Sequence, residues 1–173
     1  MRQRILYGTN QLVDEFTQKL QKIEDPDGGW TVKFKDTATG EYWIRYVVDL
    51  GRGYFYNLMK TDPSPTTDEL IAIAMKSKFN DEVSAAATRL YLNEDLSHEE
   101  YREKLISKLK EFDFSRLNEN DKRRINTIIK AGQLTNRVNQ RSVIGKNVTQ
   151  IGMDSQFYNR IADETEKIME WIK

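Results

Sequence analysis

The chain has 173 residues, of which 38% are hydrophobic and 31% are charged, and its formal net charge is zero. It contains no Cys and only one His, which excludes disulfides, thiol catalysis, cysteine-ligated metals and paired-histidine metal sites. No apolar run approaches the roughly 20 residues of a membrane helix. We therefore expect a cytoplasmic protein without a membrane partner, and the neutral charge makes nucleic acid an unexpected partner.

The first predicted element is a helix over residues 9–23. Its apolar residues recur at helical spacing, at Leu12, Phe16, Leu20 and Ile23. The turn-forming sequence EDPDGG at 24–29 ends this helix.

A β-hairpin is predicted next, because residues 30–35 and 41–49 alternate apolar and polar side chains. The alternation assigns four rings to one core-packing face, namely Trp30, Phe34, Tyr42 and Tyr46, and places Trp43 on the opposite face. The segment 54–60 fits either a third strand or an extended loop, since so short an apolar run has no diagnostic period.

From Thr66 onward the pattern predicts helices. Two capping boxes are predicted, one from Thr66 to Glu69 and one from Ser97 to Glu100. Further helices are predicted over 118–131, with Gly132 as C-cap, and over 155–172, with a polar loop at 133–147 between them.

These elements predict an α+β fold that is mainly α. A small antiparallel sheet of two or three strands, at about residues 30–60, is expected to pack with a bundle of about six helices. We expect a single domain over 1–173, with the N-terminal helix and a β-meander at 1–62 and the helical region at 63–173.

Evidence for catalysis is weak in this sequence. His98 is predicted to be a solvated residue in the first turn of a helix, and paired carboxylates fall at helix N-termini, where the helix dipole explains them. The sequence therefore predicts a protein that is not an enzyme, with no catalytic residue, cofactor or metal. An enzyme that uses carboxylates stays open as an alternative.

Charge is unevenly distributed along the chain. Residues 66–115 hold eleven acids and seven bases, whereas residues 116–146 hold eight bases and two acids. The basic segment 122–146 could contact phosphates in a nucleic-acid-associated regulator. We favour pairing of its helix surface with the preceding acidic segment, and no aromatic residue lies between Phe114 and Phe157 to stack on bases.

The strongest functional candidates are aromatic. Three consecutive rings at 54–56 cannot all enter one core, so at least one should reach the surface, where Tyr, Trp and Arg are the usual anchors of protein interfaces. The acidic residues around 94–103 form a second candidate face, since acidic surfaces suit inhibitors of cationic nucleases. The predicted partner-binding residues are Trp43, Arg52, Tyr54, Phe55, Tyr56, Asp95, Glu99 and Glu100.

The order of several segments resembles that of a known group of proteins. The segments are TGEYWIRY, YFYNLMK, PSPTTDELIAIAMKSKFNDEVSAAATRL and NQRSVIGK, within residues 30–170. They resemble small bacterial proteins grouped with the immunity proteins of polymorphic and contact-dependent toxin systems, and the helix pair at 66–92 resembles one HEAT-type repeat. The resemblance implies a non-enzymatic cytoplasmic protein that binds and neutralises one cognate toxin, and it implies no shared functional residues.

Overall fold

A computed structural model describes residues 4–49 and 53–173. The chain divides into two compact units, Met1–Thr66 and Thr67–Lys173. This division lies four residues beyond the predicted change from strands to helices at 62/63. That the two units form a single domain stays a prediction.

The described part of the first unit contains an antiparallel sheet of five strands in the order β1-β5-β4-β3-β2. The strands are β1 (Leu6–Tyr7), β2 (Gln21–Glu24), β3 (Thr31–Lys35), β4 (Tyr42–Asp49) and β5 (Tyr54–Thr61). The prediction of two or three strands is therefore wrong. Two-residue β1 is too short to show alternation, and β2 is exposed at every position, so neither strand has a sequence signature.

The first helix is shorter than predicted. It covers Asn10–Thr17 as α1, and the chain then turns into β2. The backbone hydrogen bonds change to the 3₁₀ type at this point, since the amides of Lys19 and Leu20 donate to carbonyls three residues back rather than four. Leu20 and Ile23 match the helical period in sequence, although they follow the helix in the structure. β2 then pairs with β3 and has a register shift between Lys22 and Glu24.

The core of the first unit forms where α1 covers one face of the sheet. Its buried residues are Val13, Val32, Phe34, Trp43 and Leu58. Phe34 pairs with Trp43 across β3 and β4, so these two rings share a face. The predicted set of four core rings is wrong, since Trp30 and Tyr42 are exposed and Tyr46 is buried on the other face. Alternation assigns faces within a strand, and only the register between strands shows which faces coincide.

The second unit consists of five helices within the described residues. They are α2 (Thr67–Lys76), α3 (Asn80–Ser97), α4 (Arg102–Leu109), α5 (Glu119–Ala131) and α6 (Val148–Trp171). The prediction of α5 is confirmed, with Asn118 capping its start and Gly132 as C-cap. Helix α6 begins seven residues before the predicted start, because Asn147 and Gln150 form a capping box.

The predicted capping box at Ser97 is wrong. Helix α3 continues through Ser97, and His98 ends it in the left-handed conformation with a φ of 57°. The amide of His98 donates to the carbonyl of Glu94, and the amide of Glu99 donates to that of Asn93. These bonds close the last turn of α3, so His98 terminates one helix and does not lie within the next.

Candidate functional site

An exposed pair of rings lies at one end of the sheet in the first unit. Trp30 is 53% exposed and Tyr54 is 64% exposed, although both carry large apolar surfaces. Their ring centroids lie 5.3 Å apart with an interplanar angle of 82°, an edge-to-face contact that holds each ring in a defined orientation. The two side chains therefore form one rigid, solvent-facing surface.

The strand register brings these rings together. The carbonyl of Trp30 accepts a hydrogen bond from the amide of Val47. Tyr54 begins β5, two residues before Tyr56, which pairs with Val47. Trp30, just before β3, and Tyr54, at the start of β5, therefore lie on either side of the central strand β4. Both rings are on the sheet face that α1 covers at the other end of the strands.

Arg45 extends this surface. Its guanidinium lies 4.4 Å from the ring centroid of Tyr56 and donates to the carbonyl of Gly29 at 3.4 Å. The amide of Tyr56 in turn donates to the side chain of Asn10. We call Trp30, Arg45, Tyr54 and Tyr56 the aromatic surface.

The loop before β3 is held by short polar contacts. Asp25 accepts from the amide of Gly29 at 2.6 Å and from Lys22 at 2.7 Å, and Asp27 accepts from the amide of Thr31. The hydrogen bond from Lys22 lowers the pKa of Asp25, which keeps this carboxylate charged. Gly29 has a φ of +102°, a conformation that side chains rarely adopt, so the loop depends on glycine there. Trp30 is consequently attached to a fixed backbone.

The predicted aromatic candidates separate into three groups. Tyr54 and Tyr56 belong to the aromatic surface, whereas Phe55 lies on the opposite face of the sheet, paired with Val48. Trp43 is only 1% exposed and packs under α1 against Phe16, so it is a core residue and is removed from the candidates. Arg52 lies outside the described residues. Sequence reasoning missed Trp30 as a surface residue because the alternation of β3 assigned it to the core.

The acidic candidates lie in the second unit, at the end of α3 and just beyond it. Asp95 is exposed. Glu99 accepts from the hydroxyl of Thr67 at 2.9 Å, and Glu100 forms an ion pair with Arg141 at 2.6 Å. Two of the three acids thus have internal partners, and neither contact could be predicted from residues close in sequence.

The basic segment 122–146 is used largely for internal contacts. Arg137 binds Asp163 and Glu166 of α6, and the guanidinium of Arg124 donates to carbonyls at the end of α2. The predicted partners in the acidic segment 66–115 are mostly replaced by acids of α6. Two cations of the basic segment lack such an internal contact. Arg123 and Lys130 are exposed and have no carboxylate partner in the described ranges. This pairing weakens the case for a continuous phosphate-binding surface.

Asp154 fixes the irregular segment that precedes α6. One carboxylate oxygen accepts from Arg141 at 2.8 Å and the other from Lys146 at 2.5 Å. These two hydrogen bonds lower the pKa of Asp154. Both ends of the four-residue turn 142–145 are therefore tied to the same side chain.

Acid should loosen this turn. The folded pKa of Asp154 lies below the ordinary value near 4, so its contribution to stability is present above that value and disappears as the pH falls through the folded pKa. We expect the heteronuclear NOE of the amides in 142–145 to decrease on acidification below about pH 4. Asp154→Asn should show the decrease already at pH 7. An unchanged NOE in that variant would contradict the role of Asp154.

A buried ion pair between α3 and α4 was not predicted. Arg102 is fully buried, and its Nε lies 2.8 Å from one carboxylate oxygen of Glu94 and 3.0 Å from the other. Its guanidinium also donates to the carbonyl of Gln133 at 2.9 Å and lies 4.8 Å from the ring centroid of Tyr158. Burial raises the pKa of Glu94, an effect that Arg102 opposes, and it raises the pKa of Tyr158 to about 12. The Tyr158 phenol is therefore neutral at physiological pH and unsuited to act as a base.

An open groove of about 720 Å³ lies between α2 and α4. Its apolar lining includes Ile71, Met75 and Phe112. The acids along this groove each bond a cation, in the pairs Asp68–Lys104, Glu111–Lys108 and Glu103–Arg160. Each of these acids is therefore neutralised by a nearby cation.

Within 4–49 and 53–173, no three acidic or imidazole side chains are grouped so that they could hold a metal ion. No helix in these ranges combines the length and apolar character needed to cross a bilayer. Comparison of the chain with protein-family models, curated proteins and solved structures finds no match.

Proposed function

We propose that this protein is a non-enzymatic binding module of the cytoplasm, whose aromatic surface docks onto another protein. The observation that carries the proposal is the exposed, mutually oriented pair Trp30 and Tyr54. Trp, Tyr and Arg dominate the energetics of protein interfaces because they bury much apolar area and keep a polar group for hydrogen bonding.

Rigidity of the aromatic surface supports the same proposal. Trp30 is attached to a loop held by carboxylate–amide bonds, and Tyr54 lies on a strand paired along its length with β4. Arg45 is oriented by the Tyr56 ring and by the Gly29 carbonyl. Little side-chain freedom is then lost on binding, which favours affinity.

The partner that we propose is a protein toxin, which this chain neutralises by binding. The resemblance of its segments to immunity proteins supports this identification. A chain without Cys suits a reducing compartment such as the cytoplasm. A protein that neutralises a toxin by covering its active surface needs no catalytic group of its own. The proposal therefore requires no catalysis by the acids of the α2–α4 groove, which are paired with cations.

The function is tested by coexpressing this chain with the product of the gene that lies immediately upstream of the gene encoding it. We expect the full chain to relieve growth inhibition by that product and to bind it in calorimetry. Trp30→Ala and Tyr54→Ala should each weaken binding by more than about 1 kcal/mol without lowering the melting temperature, because both rings are largely exposed.

Tyr42→Ala is the matched control, since Tyr42 is an exposed ring on the opposite face of the sheet. It should leave the affinity unchanged. Growth inhibition that persists, together with no heat of binding, would refute the toxin as partner. Equal losses in all three variants would instead show that the aromatic surface is not the contact.

A further inference from the structure

A second candidate surface is an open groove of about 530 Å³ in the helical unit, lined by one face of α5 and by the C-terminal end of α6. The α5 wall is polar and mainly cationic, whereas the end of α6 contributes apolar side chains. We call this surface the α5–α6 groove, and we propose that it binds an acidic amphipathic helix of another protein. Its principal residues are Lys122, Arg123, Asn126 and Lys130 of α5, with Met169 and Ile172 at the end of α6.

The α5 wall is one continuous stripe. Arg123, Asn126 and Lys130 follow one another at spacings of three and four residues, so the helix places them on the same face. Lys122 borders this face, and the stripe from Lys122 to Lys130 extends about 12 Å along the helix axis. Met169 lies three residues before Ile172, which places both on one side of the last turn of α6. Because the two sets line the same groove, they form a single surface.

The charge of the groove selects an anionic occupant. Its lining includes four cationic side chains and one acidic side chain. Arg123 and Lys130 are exposed and have no carboxylate partner within the part of the chain that the structure describes. Lys122 lies 3.4 Å from Glu119, but the Glu119 side chain is 84% exposed, so solvent screens this pair. The cations of the groove are therefore available to a negatively charged partner, and their field would speed its encounter.

The apolar wall favours a helix over nucleic acid as that partner. Met169 and Ile172 are only partly buried, which leaves apolar area beside the cationic stripe. An amphipathic helix would cover this area with its apolar face, and the flexible Met169 side chain can adapt to it. A phosphate backbone would leave the area uncovered, and no aromatic side chain of the described residues lines the groove for bases to stack on.

The length of the cationic stripe matches a short helical segment. Acidic residues repeated every three or four positions over two turns of a helix extend about 11 Å, close to the length of the stripe. Glu119 lies one turn before Arg123 and ends the stripe with a negative charge. A longer polyanion that followed α5 would meet repulsion there. The occupant is therefore a helix with acids on one face and apolar residues on the adjoining face.

Fluorescence anisotropy of a labelled peptide tests the proposal on the full chain. The probe is an alanine-based peptide of about 18 residues, long enough to be helical in water, with glutamates on one face and leucines on the adjoining face. We expect saturable binding at micromolar concentrations that weakens as salt is added. Two reference probes should bind much more weakly. One is a peptide of the same composition in scrambled order, and the other is a single-stranded oligonucleotide of equal charge.

Charge reversals locate the binding site. Arg123→Glu and Lys130→Glu should each weaken binding of the amphipathic probe by about fivefold or more. The melting temperature should not change, because both side chains are exposed. Lys167→Glu is the matched control, since Lys167 is an exposed residue of α6 that does not line the groove. It alters the net charge by the same amount and should leave the affinity unchanged.

Four outcomes would overturn the proposal. They are the absence of saturable binding at submillimolar probe, equal binding of the scrambled peptide, tighter binding of the oligonucleotide, and an equal loss of affinity in Lys167→Glu. Equal binding of the scrambled peptide would reveal charge attraction alone, and tighter binding of the oligonucleotide would assign the groove to nucleic acid. None of these outcomes involves the aromatic surface of the first unit, so they are independent of the proposed binding of a toxin.

Discussion

Replacing Arg102 by alanine is expected to lower the free energy of unfolding by about 3–5 kcal/mol, because the buried Glu94 carboxylate would lose its counter-ion. The Gln133 carbonyl and the face of Tyr158 would lose contacts as well. Arg102 joins α3, α4, the segment after α5, and α6, so the whole helical unit should be affected. Urea unfolding followed by far-UV circular dichroism measures the change.

The loss should depend on pH. Without Arg102, Glu94 loses the main group that opposes its desolvation, and only Tyr158 and Arg141 still lower its pKa. Its folded pKa therefore rises further above the unfolded value near 4.3. A raised folded pKa favours the native state below the unfolded pKa, so the variant should recover stability as the pH falls toward 4. Arg102→Ala with Glu94→Gln should be less sensitive to pH in this range.

An exposed ion pair provides the control for Arg102. Lys104 lies on the surface of α4, the helix that also carries Arg102, and it pairs with Asp68. Lys104→Ala removes this pair and should lower the free energy of unfolding by less than about 1 kcal/mol. If both variants lost the same small amount, Arg102 and Glu94 would not be coupled as the geometry indicates.

Replacing Trp43 by alanine should destabilise the first unit by about 3–5 kcal/mol, because it removes the largest side chain of the core beneath α1. Its ring contacts Phe16 at a centroid distance of 4.8 Å and Tyr7 at 6.0 Å, so a cavity would open between helix and sheet. Thermal unfolding monitored by circular dichroism measures the loss.

Trp43→Phe distinguishes packing from polar contacts at this position. The indole Nε1 is buried and has no hydrogen-bond partner among the described residues, so phenylalanine loses volume but no hydrogen bond. We expect a cost below about 2 kcal/mol, less than that of alanine. An alanine variant of unchanged stability would contradict the assignment of Trp43 to the core.

Elements with strong local signals could be predicted from sequence. Helix α5 has an Asn cap at its start, a run of apolar residues at helical spacing and a glycine at its end, and all three features occur in the structure. The hairpin of β3 and β4 follows from alternation and from the turn between them. These features arise from residues close in sequence, which is why periodicity and capping rules detect them.

Features that depend on distant residues could not be predicted. Whether Trp30 or Trp43 is buried depends on the register of β3 against β4 and on the position of α1, not on alternation within either strand. The pairing of Arg102 with Glu94 depends on α3 continuing through Ser97, where the sequence pattern predicted a new helix. The candidate site shows the same limit, since Tyr54 was identified but its ring partner Trp30 was not.

The outer strand β2 restricts how any partner can bind. A sheet edge with unpaired backbone groups invites a further strand, which is a frequent route both to peptide capture and to aggregation. Here Lys22 and Glu24 carry charges along that edge, and the register shift between them interrupts the regular ladder that an added strand would need. The opposite edge, β1, has only two residues. Recognition by this sheet should therefore proceed through side chains on its faces rather than through backbone pairing, and concentrated protein should resist edge-to-edge polymerisation.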